Sequence, residues 1–391
     1  MGGEGNDGRH QGWQMSLGRI AVLVSNDLSF DQRVRKTCAS LEKAGYEPVL
    51  IGRRMRRSDA PSIDRPYVTR RMWLPVMSGP GFYLGLQYGL WQQLKRCRAE
   101  GGLTAIWSND LDTLWPAIRG GKRWGVKVAY DSHEWFTEAE GLKGKPLRKR
   151  IWERWEQRCF RDISCMLTVN ESIAEVYRLK GPAVEVVPNV PERQDPPKPM
   201  SRKELGWPEE KTLLLIQGAF MDQDRGALDA VRALVHLPDV HLALIGAGPE
   251  WDAAPKVASA LGVQDQLHLH ERLPFDVLRR CTAAADIGLS LDRPTVDNFR
   301  FSLPNKLFDY VHAGLPVVCS NLPVAGRFVE EEAVGVVVSS SSEKDLPAAT
   351  AKAVEELLLN LPSADHLNGV ASRYHWMAHE HKLLEAIHFP R

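Results

Sequence analysis

Apolar residues recur along this chain in two ways, as short unbroken runs and as positions repeating every three or four residues. An unbroken run predicts a strand buried on both faces, and the repeat predicts a helix with one face in a core. Residues 19–24 form a first run and are followed by a polar turn over 25–30 that contains Asn26. Val34, Cys38 and Leu41 then repeat at helical spacing between Asp31 and Ala44, Gly45 ends the pattern, and 48–52 form a second run. Strand, helix and strand within about 35 residues open a doubly wound parallel sheet. The loop after the first run has no G-x-G-x-x-G, so a dinucleotide fingerprint is not supported.

The alternation continues. Residues 74–98 predict an amphipathic, aromatic-rich helix that fits either a core or a membrane surface. Runs at 105–110 and 126–134 end in the polar groups Asn109, Asp110, Asp131, His133 and Glu134. Ligands of open α/β sheets bind beyond the carboxyl ends of the strands, where these groups fall. Leu147, Ile151, Trp155 and Cys159 predict a core stripe on a helix over 147–160, and runs at 166–170 and 184–191 complete the first series. After a polar, proline-rich stretch a second series begins at 211–218. It includes a helix bearing Leu228, Val231 and Leu234, a strand at 241–249, a strand around His268-Leu269-His270, and a helix and strand over 278–289. A polar loop over 292–300 precedes residues 302–318, and two helices are expected after 336–338, the last over 374–389.

A length of 391 residues favours two domains. The expected division is a disordered lead over 1–17, a first domain over 18–190, a linker over 191–208, a second domain over 209–370 and a terminal helix over 371–391. A hydrophobic content of 43% with 25% charged residues places the chain among ordinary globular proteins. The net charge of +1 gives no case for a nucleic-acid partner, but the charge is unevenly spread. Residues 51–71 carry seven Arg against two Asp, and 143–161 carry eight Lys or Arg against two Glu. Such runs are either solvated faces or a surface for anionic lipid or an acidic acceptor. No apolar run approaches the ~20 residues of a membrane span. The six cysteines include no C-x-x-C pair and mostly stand in apolar runs, as free thiols of a reducing cytoplasm do.

The most informative stretch is Ser302-Leu303-Pro304-Asn305-Lys306-Leu307-Phe308-Asp309-Tyr310-Val311-His312-Ala313-Gly314-Leu315-Pro316-Val317-Val318. Pro304 suits a helix start, Leu307, Phe308 and Val311 share an apolar face, and Gly314 suits a left-handed stop before a short strand. Lys306 adds a positive charge to a helix N-terminus, which already attracts phosphate. This stretch resembles the donor-binding element of the GT-B glycosyltransferases, in particular the retaining family 4, which reads E-x7-E before A-G-x-P-V-V. Asp309 falls on the second acidic position, which the resemblance assigns to the nucleotide ribose. Phe301 stands where the first acid would be, so the sugar contact made there is in question, with Asp297 or Arg300 as candidate substitutes.

The resemblance extends to other segments. In the loop after 211–218 it implies a Gly and basic residues around the donor diphosphate; Gly218 and Arg225-Gly226 match, while Ala219 replaces an earlier basic residue. The Asp131-Ser132-His133-Glu134 run resembles the motif whose His lies near the donor sugar. The helix from Asp31 resembles one beside the family's cleft, so Arg33 faces either substrate or, as helical Arg more often does, solvent. The fold implied is α/β, two Rossmann-like domains facing a central cleft, with the C-terminal helix crossing back to the first domain. His133, Arg225 and Lys306 are the expected catalytic residues, with Gly218, Pro304, Asn305 and Asp309 binding the donor. Asn26, Asp110, Glu134, Asp297 and Arg300 are candidates for the acceptor or sugar pocket.

The implied activity is transfer of a sugar from a nucleotide-sugar to a glycan, glycolipid or small-molecule acceptor, with retention. No metal or other cofactor is expected, since His268 and His270 lack an evident third ligand and the family's chemistry does not need one. The expected partners are a nucleotide-sugar, a glycan or lipid-linked acceptor and, through the basic first domain, the inner membrane face of a cytoplasmic location. Two rivals are a nucleotide-sugar epimerase of the same fold and a non-catalytic subunit of a glycosyltransferase complex.

Overall fold

The computed structural model describes residues 16–28, 31–54, 65–76, 78–193, 195–340, 342 and 344–388. Residues 1–15 of the expected lead, Ser29 and Phe30 of the first polar turn, Met77 of the expected aromatic-rich helix, 55–64 of the Arg-rich stretch, Gln194 of the expected linker and Phe389 of the expected last helix lie outside them. By its contacts the chain forms two compact units. One extends to Asp131 and takes in Arg158–Met166 and the chain from Leu383; the other comprises Ser132–Gln157 and Leu167–Lys382.

Among the described residues thirteen strands carry the fold: β1 (Arg19–Leu23), β2 (Glu47–Arg54), β3 (Val68–Trp73), β4 (Ala105–Asn109), β5 (Lys127–Ser132), β6 (Cys165–Thr168), β7 (Val184–Val186), β8 (Thr212–Gly218), β9 (Val240–Gly246), β10 (Leu267–His270), β11 (Ile287–Ser290), β12 (Val317–Ser320) and β13 (Gly335–Val338). They make a seven-stranded sheet ordered β3-β2-β1-β4-β5-β6-β7 and a six-stranded sheet ordered β10-β9-β8-β11-β12-β13. The pairings along β1–β5 and along β8–β13 are parallel. In each sheet the chain runs outward over three strands and returns to the far side of the first. That leaves a topological switch point between β1 and β4, and another between β8 and β11.

The unbroken apolar runs follow from burial on both faces. In β8, Leu214 and Ile216 enter one core with Val231, Leu242 and Val354, while Leu213 and Leu215 enter the opposite one with Phe308, Val311 and Val317. Neither face meets water, so no polar alternation is required. The helix Asn305–His312 buries Leu307, Phe308, Tyr310 and Val311 on the second of these faces. Gly314 follows it at φ +78°, the left-handed stop expected from the sequence. Pro304 lies at φ −63°, ψ 135° and therefore caps the helix from outside instead of forming its first turn.

Several expectations are corrected. Strand β3 was not expected, because only Met72 of its six residues is buried and edge strands carry little apolar signal. The aromatic-rich helix spans Gly79–Gly101, and not 74–98, with Phe82, Leu86, Leu90, Trp91, Leu94 and Cys97 buried. On the helix Pro146–Cys159 the expected core stripe is only half realised: Leu147 and Ile151 are exposed, and Glu156 is buried instead. Three helices close the described chain, not two, since Ser363 caps a separate helix over Ala364–Arg373 between Leu346–Leu359 and Trp376–His388. Near the end of the last one, Ile387 accepts a 3.0 Å hydrogen bond from Lys127 Nζ.

Arg33 faces neither substrate nor solvent. Its Nη2 donates to Asp131 Oδ1 at 2.7 Å and its Nε to Oδ2 at 3.0 Å, both side chains being almost wholly buried. The six cysteines are free and buried. The expected His pair on β10 is also accounted for: His270 Nε2 lies 2.9 Å from Trp207 Nε1, and His268 Nε2 lies 3.0 Å from His241 Nδ1. Burial, with His241 and His270 adding to it, pushes the His268 imidazole down to about 4. A folded state holding His268 neutral keeps this stability above the unfolded value near 6.5 and loses it as pH falls towards 4. Discounted for its half-exposed position, the loss is about 1–2 kcal/mol. Urea unfolding at pH 7.5 and 4.5 should therefore show the gap between wild type and His268→Gln narrowing by about that amount at the lower pH; a gap independent of pH would count against it.

Candidate functional site

The switch point of the second sheet is where its chemistry gathers. Strands β8 and β11 pair only through Leu214 and Leu215, then diverge towards their carboxyl ends. Tyr310, fully buried, fills the divergence. Its hydroxyl lies 3.2 Å from the carbonyls of Leu215 and Leu289 and accepts from Gln217 N at 3.2 Å. The ring can lie there because β11 has Gly288, where a Cβ would come within 2.3 Å of the ring. Burial pushes the phenol pKa up, so it stays protonated. Tyr310→Phe should cost about 1–2 kcal/mol in urea unfolding, since the Gln217 N–H loses its buried acceptor; a neutral result would show the hydroxyl to be dispensable.

Around this opening the elements supply charge. The loop after β8 brings Arg225, the loop after β11 brings Asp292, and the first turn of the helix Asn305–His312 brings Lys306. Arg225 Nη1 donates to Asp292 Oδ1 at 3.2 Å and Lys306 Nζ to the same oxygen at 3.0 Å. Asp292 is 2% exposed and its Oδ2 lies 3.3 Å from Ser290 Oγ. Two cations, one from a loop and one from a helix start, thus converge on one buried carboxylate oxygen. The Arg225 guanidinium also lies over the Phe299 ring at 4.7 Å. Gly226, at φ +71°, permits the close packing of this loop, since a Cβ there would come within 2.4 Å of Leu291 O.

Asp309 stands one turn beyond Lys306 and accepts from Gln217 Nε2 at 3.2 Å, while Gln217 Oε1 accepts from Thr282 Oγ1 at 2.6 Å. Gly218 ends β8 with its side open, nothing lying within 4 Å of a Cβ placed there. Asn305 is exposed and Pro304 half-buried at the helix start. The loop 292–300 is not wholly irregular, because 297–300 make one helical turn. Asp297 and Arg300 are half-exposed and paired at 3.9 Å.

The segment after β5 belongs to the same compact unit. Half-buried His133 follows Ser132, whose hydroxyl donates to Glu134 O at 2.8 Å and lies 3.0 Å from Tyr177 Oη. Glu134 Oε2 accepts from Asn298 Nδ2 at 2.7 Å, and Asn298 Oδ1 accepts from Trp135 N at 2.9 Å. Asn170 Nδ2 donates to Phe301 O at 2.8 Å, and the Phe301 ring lies 6.0 Å from that of Trp135. Phe301, at the missing acid, is thus part of an aromatic contact.

Asn26 and Asp110 lie in the other unit, at the switch point of the first sheet. Asn26 Nδ2 donates to Asp31 Oδ2 at 2.7 Å and its Oδ1 accepts from Leu28 N at 2.9 Å, an Asx turn. Asp110 adopts φ +60°, a strained conformation for a non-glycine residue, with its N–H donating to Asp131 O at 2.9 Å. Asp292 and Asn298 were not singled out from the sequence. A short side chain in a polar loop carries no periodic signal, and only the position of Asp292 two residues after a strand could have marked it.

Two sheets wound in the same order, the second with a cationic switch point, define a GT-B protein. Residues 31–190 match the model of the glycosyl transferase 4-like domain, and 213–360 that of glycosyl transferases group 1. The chain belongs to this group 1 glycosyltransferase family and is a glycosyltransferase. Its fold is similar to that of sucrose-phosphate synthase from Thermosynechococcus elongatus, at a TM-score of 0.72 and 16% identity, covering 94% of this chain and 98% of that one. It is similar to Anabaena HepE in complex with UDP-glucose, at 0.69 and 14%, covering 94% and 99%. It is also similar to WaaG, a glycosyltransferase involved in lipopolysaccharide biosynthesis, at 0.67 and 16%, covering 94% and 99%. No curated protein matches the sequence significantly. Among the described residues no helix is long and apolar enough to cross a membrane.

Proposed function

We propose that this glycosyltransferase moves a sugar from a nucleoside-diphosphate donor to a glycan or lipid-linked acceptor with retention of anomeric configuration. The observation that carries the reading is the convergence of Arg225 and Lys306 at the β8/β11 switch point, where α/β sheets of this order hold their ligands. HepE, of similar fold, binds UDP-glucose, which makes a uridine donor the first to test. In this reading Asp309 holds the ribose, Gly218 lets the donor approach the backbone, and Asn305 offers its N–H behind Pro304. Arg225 and Lys306 turn from Asp292 to the diphosphate and meet the charge that grows as the C1–O bond breaks. Preorganised charge of this kind is usually the largest single catalytic contribution. The acceptor oxygen attacks C1 from the same face and its proton passes to the departing phosphate oxygen. His133 lies by the donor sugar, and no metal takes part. The place of action is the cytoplasm, in the assembly of cell-surface polysaccharide or glycolipid.

A thermal-shift panel of nucleoside diphosphates and their sugars tests the donor. A ligand of the folded form present at a hundredfold excess over its Kd stabilises it by about 2.7 kcal/mol. One nucleotide class should raise Tm in wild type and fail to do so in Asp309→Ala. No shift with any nucleotide would move weight to a non-catalytic subunit, and turnover of a nucleotide-sugar without acceptor into its epimer would establish the epimerase instead.

A further inference from the structure

A cleft of about 780 Å³ opens in the second unit between the segment after β5, the loop after β11 and the loop after β12. Its apolar lining includes Leu142, Val296 and Leu322, and Lys143, Lys145, Lys149 and Arg300 bring positive charge to it. Two of these cations are neutralised within the lining, Lys149 by Glu138 and Arg300 by Asp297. Lys145 Nζ donates only to a neutral carbonyl, that of Gly141, at 2.9 Å, and neither Lys145 nor Lys143 has a carboxylate partner among the described residues. The lining therefore combines apolar surface with two ammonium groups that no described carboxylate neutralises, a combination that suits an amphipathic anion.

The cleft adjoins the candidate donor site through shared elements. The helical turn Asp297–Arg300 gives Asp297 and Arg300 to the cleft, while its Phe299 lies under the Arg225 guanidinium. Thr295, also in the lining, donates to Asp224 Oδ2 at 2.7 Å, next in the chain to Arg225. A molecule seated in the cleft therefore lies one helical turn from the groups proposed to hold the donor diphosphate. Beside it, the helix Pro146–Cys159 leaves Leu147 and Ile151 exposed among Arg148, Arg150 and Arg154.

We infer that this cleft is the acceptor subsite and that the acceptor carries a phosphate group, held by Lys143 and Lys145, close to the hydroxyl that receives the sugar. The inference rests on the transferase reading for its purpose, but its binding test does not. Farnesyl diphosphate and glucose 1-phosphate serve as probes, with farnesol as the uncharged control, and UDP is titrated in parallel against wild type, Lys143→Gln/Lys145→Gln and Lys306→Ala. The double variant should keep its Tm and its UDP affinity but bind the phosphate probe at least tenfold more weakly, and the wild-type affinity should fall with added salt. Lys306→Ala should weaken UDP and leave the phosphate probe within twofold. Preference for farnesyl diphosphate assigns the phosphate to a lipid carrier, and preference for glucose 1-phosphate to a phosphorylated sugar. Failure of both phosphates to bind, equal binding of farnesol, or an unchanged affinity in the double variant would each overturn the inference. Loss of UDP binding alone would sink the donor reading and leave this one standing.

Discussion

Lys306→Ala is expected to lower turnover about 100-fold or more, with a smaller rise in the KM for the donor, because removing one preorganised charge from a leaving group typically costs 10²–10³ in rate. The side chain is 11% exposed and its ammonium is already held, at 3.0 Å from Asp292. Little reorganisation is needed for it to meet a phosphate oxygen instead. Its removal leaves Asp292 with Arg225 as its one cationic partner among the described residues. Arginine in its place should recover only part of the rate, since a planar fork on a longer stem does not reproduce a compact ammonium. Initial rates with the donor found by thermal shift, measured for wild type, Lys306→Ala and Lys306→Arg, check this. Turnover within tenfold of wild type in Lys306→Ala would remove the residue from the chemistry.

Asp131→Ala is expected to have the largest effect on folding, about 3–5 kcal/mol, the typical cost of breaking a buried ion pair from one side. Arg33 and Asp131 are 1% and 0% exposed, and two nitrogens of one guanidinium bond the two oxygens of the carboxylate. Without the carboxylate the guanidinium stays charged, because arginine does not lose its proton in proteins, and it must either stay buried without the charge that offset its desolvation or drag its helix open. The pair itself need not be stabilising relative to apolar residues of similar size. Arg33→Met/Asp131→Leu should therefore recover most of the loss, although neither single change is tolerated. Urea midpoints for the three variants decide it. A single variant losing under about 1 kcal/mol would mean that water reaches the site.

The same pair shows where reading the chain stops. The helical spacing that placed Val34, Cys38 and Leu41 on one face says nothing about an Arg between them. Its partner is 98 residues away, joined to it only when β5 is laid in the sheet. A charged residue on a helix is ordinarily solvated, and that expectation fails whenever a distant carboxylate offsets the desolvation. Leu147 and Ile151 failed in the opposite direction: a regular apolar repeat does not require a core, and here that stretch is exposed.

Much of the second unit was legible. The strands β8, β9, β11 and β12 are apolar because both faces are covered, so their burial is written into unbroken runs. Gly314 announced the helix stop, and Arg225, Gly218, Lys306 and Asp309 were all named before any geometry. Asp292 and Asn298 were not. Each acts through one short polar group whose partners come from other loops, and no periodicity marks such a group.

Local order along the chain thus determined the alternation of strands and helices, the two parallel sheets, and the residue types of the candidate donor site, because these depend on patterns within about a dozen neighbours. Tertiary structure alone decided which of those residues meet. It set Arg225 and Lys306 on one oxygen of Asp292, tied Glu134 to Asn298, and brought Lys143 and Lys145 to the lining of a cleft. The physical reason is that electrostatic pairing depends on distance in space, and the sequence of an α/β sheet brings its distant loops together only once the strands are in order.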